Sequence, residues 1–123
     1  MADILVIDDE AALRRLVARV LKSAGHTVRE AENGRVGLEL FRELRPALVI
    51  TDIVMPDQEG IEAILELRRD APSIPILAIS GGGEGAYLRM ATGLGATEAL
   101  AKPFGADELL AAVAKLLGQK GSQ

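Results

Sequence analysis

Leu48-Val49-Ile50-Thr51-Asp52-Ile53-Val54-Met55-Pro56-Asp57-Gln58-Glu59-Gly60 is an apolar run that breaks on a carboxylate and is followed within a few residues by turn signals. A short continuous apolar run bounded in this way reads as a strand buried on both faces, as in a parallel sheet. Pro56 and Gly60 then let the chain turn. Asp52 is expected at the carboxyl end of a central strand, where open α/β sheets place ligands and chemistry.

Working outward, the same unit recurs. Ile4-Leu5-Val6-Ile7 stops at Asp8-Asp9-Glu10, and Leu13, Leu16, Val17, Val20 and Leu21 follow at helical spacing until Gly25. Arg15, Arg19 and Lys22 make a basic stripe on another side of that helix. Thr27 to Ala31 reads as a weaker strand, and Asn33 as the N-cap of a helix carrying Val36, Leu40, Phe41 and Leu44. A third helix spans about Gly60 to Asp70, with Ile61, Ile64 and Leu65 expected inward. Pro75 to Ser80 is a fourth strand. The glycine-rich Gly81 to Gly85, expected to be a mobile loop, leads to a helix over about 86–92. Thr97 to Ala101 is a fifth strand ending at Lys102-Pro103, and Asp107 to Leu117 the last helix. Residues 1–118 are expected to form one domain, with 119–123 a short polar tail. Five alternations of strand and helix specify an α/β fold, a (βα)5 parallel sheet covered on both faces.

Composition narrows the function. The net charge of −4 over 123 residues argues against non-specific nucleic-acid binding. The absence of cysteine excludes disulfides and thiolate metal sites. No apolar run approaches the ~20 residues of a membrane span. Met1-Ala2-Asp3 enters the first strand without a leader, so a cytoplasmic location is expected. His26 reads as an ordinary surface residue and Asp57 as a turn residue.

Parallel strands bring Asp8, Asp9, Asp52, Ser80 and Lys102 to one sheet edge. Taken singly, each has a plain reading: first-turn acids, a cap, a loop hydroxyl, a solvated charge. Together they place three carboxylates beside a hydroxyl and an ammonium. The carboxylates repel unless a partner is present, and a hard divalent cation suits them. A carboxylate beside such a cation can take up a phosphoryl group as an acyl phosphate.

On Asp8-Asp9, Asp52 with Met55-Pro56 and Gly60, Ser80, and Lys102-Pro103-Phe104, the chain resembles the receiver domains of two-component response regulators over about Asp3 to Leu117. The resemblance implies a doubly wound, flavodoxin-like sheet of order 2-1-3-4-5. It implies Asp52 as phosphoacceptor, and Mg2+ (or Mn2+) held by Asp9, by Asp8 largely through water, by Asp52 and by the Val54 carbonyl. It further implies Ser80 as switch hydroxyl, Lys102 as phosphate contact and a cis Lys102–Pro103 peptide. The donor would be a histidine kinase or a histidine phosphotransfer protein. Output would pass through protein contact or onward transfer, with Tyr87 and Arg89 near the output face.

Departures from the family pattern are informative. Ala99 stands where receivers commonly carry an aromatic residue, so Ser80 and the glycine-rich stretch are expected to carry the response. Val54 and Gly82 provide no group to orient water, so slow self-dephosphorylation is expected. Rival readings are a pseudo-receiver acting without phosphorylation, a haloacid-dehalogenase-type phosphatase, and a flavin module. The second would need Asp-x-Asp after the first strand. The third would need a Ser/Thr-rich phosphate loop.

Overall fold

Each aliphatic run becomes one strand of a sheet. The computed structural model describes residues 2–53, 59–80, 92–93 and 95–121. The elements in order are β1 (Asp3–Ile7), α1 (Ala11–Ser23), β2 (Thr27–Ala31), α2 (Gly34–Leu44), β3 (Leu48–Asp52), α3 (Glu59–Asp70), β4 (Ile76–Ser80), β5 (Glu98–Ala101) and α4 (Ala106–Gly121). All neighbouring strands pair in parallel, in the order β2-β1-β3-β4-β5. This is the expected (βα)5 order. The expected helix over about 86–92 falls almost wholly outside the described residues, as do Val54, Met55, Pro56, Asp57, Gly81 to Gly85, Tyr87 and Arg89.

Strand periodicity divides the core in two. Leu5, Ile7, Val49, Ile76 and Ala78 point to the face covered by α2 and α3, where Phe41, Ile64 and Leu67 meet them. Ile4, Val6, Leu48, Ile50, Leu77 and Ile79 point to the other face, covered by Val17 and Leu21 of α1 and by Leu109, Val113 and Leu116 of α4. Successive side chains of a strand alternate between faces, so a strand buried on both sides is apolar along its length, with polar residues left to its end. All five residues of β3 and of β4 are buried. Each fully buried Leu or Ile contributes roughly 1.5–3 kcal/mol relative to exposure.

Local signals set the helix ends. Asn33 Oδ1 accepts the Val36 N–H at 2.8 Å, the expected N-cap of α2. Gly25 follows α1 at φ 97°, a conformation glycine adopts without penalty. At Gly37 a side chain would run into Ile7, so this glycine lets α2 lie close against β1.

Two expectations need correction. Leu65 is 41% exposed, and the inner face of α3 is Ala63, Ile64 and Leu67 instead. One residue of helix rotates a side chain by about 100°, which takes position 65 out of the stripe through 64 and 67. The last helix runs on through Gly118 to Gly121 rather than stopping at Leu117, so part of the expected polar tail is helical.

Candidate functional site

Residues from four strand ends build the site. Asp8 continues the ladder beyond β1, donating its N–H to Ala31 O at 3.0 Å. Its Oδ1 accepts the Glu10 N–H at 2.9 Å, the two-residue turn that Asp forms readily, and α1 starts one residue later. Asp8 is buried and Asp9 exposed. Asp52 is the last residue of β3 and only 3% exposed, and the next N–H, of Ile53, donates to Ile79 O at 3.0 Å.

Ser80 ends β4 and is buried. Its carbonyl accepts the Lys102 N–H at 2.8 Å, which extends the β4–β5 pairing and brings Lys102 over the sheet edge. Lys102 Nζ then lies 3.2 Å from Asp52 Oδ2 and 3.7 Å from Glu10 Oε1. The Lys102–Pro103 peptide is cis, as expected. Asp8, Asp9 and Asp52 each present an oxygen within 4.8 Å of the others. Of the expected site residues, four are thus brought into one cluster (Asp8, Asp9, Asp52 and Lys102), and Ser80 stands on the adjoining strand end. Val54 lies outside the described residues.

The electrostatics follow from burial. Desolvation pushes Asp8 up from the ordinary carboxylate range to about 6; the Glu10 N–H opposes this and the Asp52 charge adds to it. Burial disfavours the Lys102 ammonium, but the charge and hydrogen bond of Asp52 outweigh it and hold Lys102 above the ordinary lysine value. Three acids beside Lys102, with Arg14 paired to Glu30, leave the group net negative. Its all-oxygen donor set suits a small hard divalent ion.

Two residues were not singled out by the sequence pattern. Arg14 reaches back from α1 to donate to Asp8 O at 2.8 Å and to Glu30 Oε1 at 3.0 Å. Glu10 approaches Lys102. The basic stripe Arg15, Arg19 and Lys22 is exposed, as expected. His26 is half-buried and accepts the Ala2 N–H at 3.2 Å, a structural contact. Beside Lys102, a cleft of about 380 Å3 opens between α1 and α4, lined by Leu13, Leu16, Val20, Phe104 and Leu109. Leu16 is 54% exposed there.

Comparison with known proteins gives the same picture. The chemotaxis protein CheY of Thermotoga maritima is 35% identical over 114 residues, covering 92% of this chain and 95% of that protein. A response regulator receiver domain protein from Clostridium thermocellum superposes with a TM-score of 0.92 at 31% identity, covering 98% of each chain. NtrX from Brucella abortus superposes with a TM-score of 0.91 at 34% identity over 96% of this chain, which spans only 27% of the NtrX chain. No helix among the described residues is long and apolar enough to cross a membrane. The profile of the response regulator receiver domain matches residues 4–114, and the chain belongs to that family.

Proposed function

We propose that Asp52 accepts a phosphoryl group from a phosphohistidine donor, and that the resulting change of surface, or onward transfer, is the signal. The single observation that carries this reading is the position of Asp52: its carboxylate is grouped with Asp8 and Asp9 and lies 3.2 Å from the Lys102 ammonium. One Asp52 oxygen would form a bond to phosphorus as the P–N bond of the donor breaks, with the bonding pair returning to the imidazole. Lys102 stabilises the negative charge that spreads over the phosphoryl oxygens, and Ser80 stands on the next strand end to contact them.

Receiver domains generally bind Mg2+ at an acidic cluster, and the acids here fit it. Asp9, Asp52, the Val54 carbonyl and Asp8, largely through water, would hold Mg2+ (or Mn2+). The ion, when bound, supplies positive charge to the phosphoryl oxygens. Members of this family are signalling modules rather than enzymes that turn over an external substrate. Self-catalysed chemistry is confined to gain and slow loss of the phosphoryl group, since neither Val54 nor Gly82 offers a group to orient water. The donor would be a histidine kinase or histidine phosphotransfer protein, seated over the cleft beside Lys102. Exposed Leu16 and the stripe Arg15, Arg19 and Lys22 support that placement.

Incubation with Mg2+ and acetyl phosphate or phosphoramidate, followed by intact mass, tests the chemistry. A gain of one phosphate that disappears in Asp52→Asn is expected. A gain that persists in that variant moves the acceptor elsewhere, and no gain in either removes the reading.

A further inference from the structure

The turn Asp8-Asp9-Glu10 joins β1 to α1 in very little chain, and its conformation decides where the Asp9 carboxylate points. Besides the helical Arg14 N–H to Glu10 O bond, three hydrogen bonds among the described residues hold it: Asp8 N–H to Ala31 O, Glu10 N–H to Asp8 Oδ1, and Arg14 Nη1 to Asp8 O. The first is backbone and the second uses a member of the acidic cluster. Only the third is supplied by a side chain outside that cluster. The peptide Asp8–Asp9 is planar, so holding its oxygen also fixes the direction in which the Asp9 Cα, and hence its side chain, departs.

Arg14 is itself held. Its side chain is 13% exposed, and Nε donates to Glu30 Oε1 on β2 at 3.0 Å while Nη1 serves the Asp8 carbonyl. A guanidinium carries its donors in a rigid planar fork, so fixing one edge on Glu30 aims the other. A simple tie between α1 and β2 would need only the Glu30 contact. The second bond goes to the peptide of the acid-bearing turn, and this makes more of the pair than a brace.

We propose that Arg14, oriented by Glu30, is a positioning residue that sets the Asp8–Asp9 peptide and so aims Asp9 at the divalent cation. The inference rests on reading the acidic cluster as a cation site. Arg14 and Glu30 carry opposite charges, so removing both leaves the net field on the ion nearly unchanged and alters chiefly geometry. That separates positioning from electrostatics.

The test is calorimetric titration of Mg2+ into the full chain, with folding checked by circular dichroism. The wild type is compared with the charge-neutral double variant Arg14→Gln/Glu30→Gln and with Arg14→Lys, which keeps the charge but not the fork. The double variant is expected to bind Mg2+ about tenfold more weakly, as loss of a ligand-orienting partner typically does. Its Asp9 and Glu10 amide resonances are expected to move before any metal is added. Arg14→Lys, the variant to rely on if the double one does not fold, is expected to bind more weakly than the wild type. Wild-type affinity in a folded double variant, or in Arg14→Lys if only that one folds, would overturn the proposal and leave a structural brace. Absence of Mg2+ binding in the wild type would instead overturn the cation reading itself, and this inference with it.

Discussion

Lys102 Nζ stands 3.2 Å from Asp52 Oδ2, although fifty positions separate the two residues. They meet because β3 and β5 flank β4, and because the Lys102 N–H is pinned to Ser80 O. The ammonium is therefore placed by the sheet rather than by the flexibility of its own side chain. Lys102→Met is expected to slow phosphoryl uptake from acetyl phosphate roughly 100-fold, the usual effect of deleting one charge-stabilising donor. Mg2+ affinity should not weaken, since a repelling cation has been removed. Rates of mass gain and a parallel metal titration check both halves.

Asp8 gives a pH dependence with a definite sign. Its folded-state pKa of about 6 lies above the ordinary carboxylate value of 3.8. The folded chain therefore binds this proton more tightly than the unfolded chain does. The stabilising contribution is full below about 3.8 and is lost as pH rises through about 6. In metal-free protein at pH 7.5, Asp8→Asn is expected to raise stability by up to about 3 kcal/mol. The advantage should shrink as pH falls toward 4. Thermal melts across that range read it directly.

The same proton opposes a cation. Mg2+ affinity is expected to fall about tenfold per unit as pH drops below about 6, because Asp8 must ionise as the ion binds. In Asp8→Asn this slope should flatten and overall affinity should be lower. Calorimetry at several pH values distinguishes the two behaviours.

Leu16 separates docking from chemistry. It is exposed on the cleft beside Lys102 and is not part of the Asp8, Asp9 and Asp52 cluster. Leu16→Asp is expected to reduce transfer from a phosphohistidine protein roughly tenfold, the scale of one buried interface anchor. Uptake from acetyl phosphate should be unchanged. Equal loss with both donors would place Leu16 in the reaction rather than in the contact.

Arg68 holds the approach to β5. Its guanidinium donates to Gly95 O at 2.7 Å, Ala71 O at 3.2 Å, Pro72 O at 3.3 Å and Thr97 Oγ1 at 3.0 Å. Burial lowers its pKa below the ordinary arginine value. Thr97 Oγ1 also accepts the Ile76 N–H at 3.0 Å, so one hydroxyl joins α3, β4 and the start of β5. Arg68→Ala is expected to cost about 2 kcal/mol, by leaving the half-buried Gly95 and Ala71 carbonyls without this partner. A urea midpoint within error of the wild type would show that water replaces the network.

Asp52, Ser80 and Lys102 could be read in the sequence because each interrupts an apolar run, and parallel strands put all such interruptions on one edge. Other features could not be read so easily. Ala63 is too weakly apolar to mark the inner stripe of α3, which made Leu65 look like the inward residue. Gly118 reads as a helix stop, yet α4 continues past it, since a single glycine costs a helix only about 1 kcal/mol. Arg14 stands beside a conspicuous basic stripe but points the other way. Its partner Glu30 is in another element, and pairings of that kind are set by the fold and not by local periodicity.

The anchors at Ser80 and Gly95 bear on how this chain can diversify. Ser80 is fixed through the Lys102 N–H, and Gly95 through Arg68, so each end is held by its own bond to a neighbouring element. Lengthening a stretch between fixed ends costs little, about 0.6 kcal/mol for each doubling. Insertions there need not shift β5 or the lysine it delivers. Descendants of this sequence can therefore vary in length between the two anchors while Lys102 keeps its place beside Asp52.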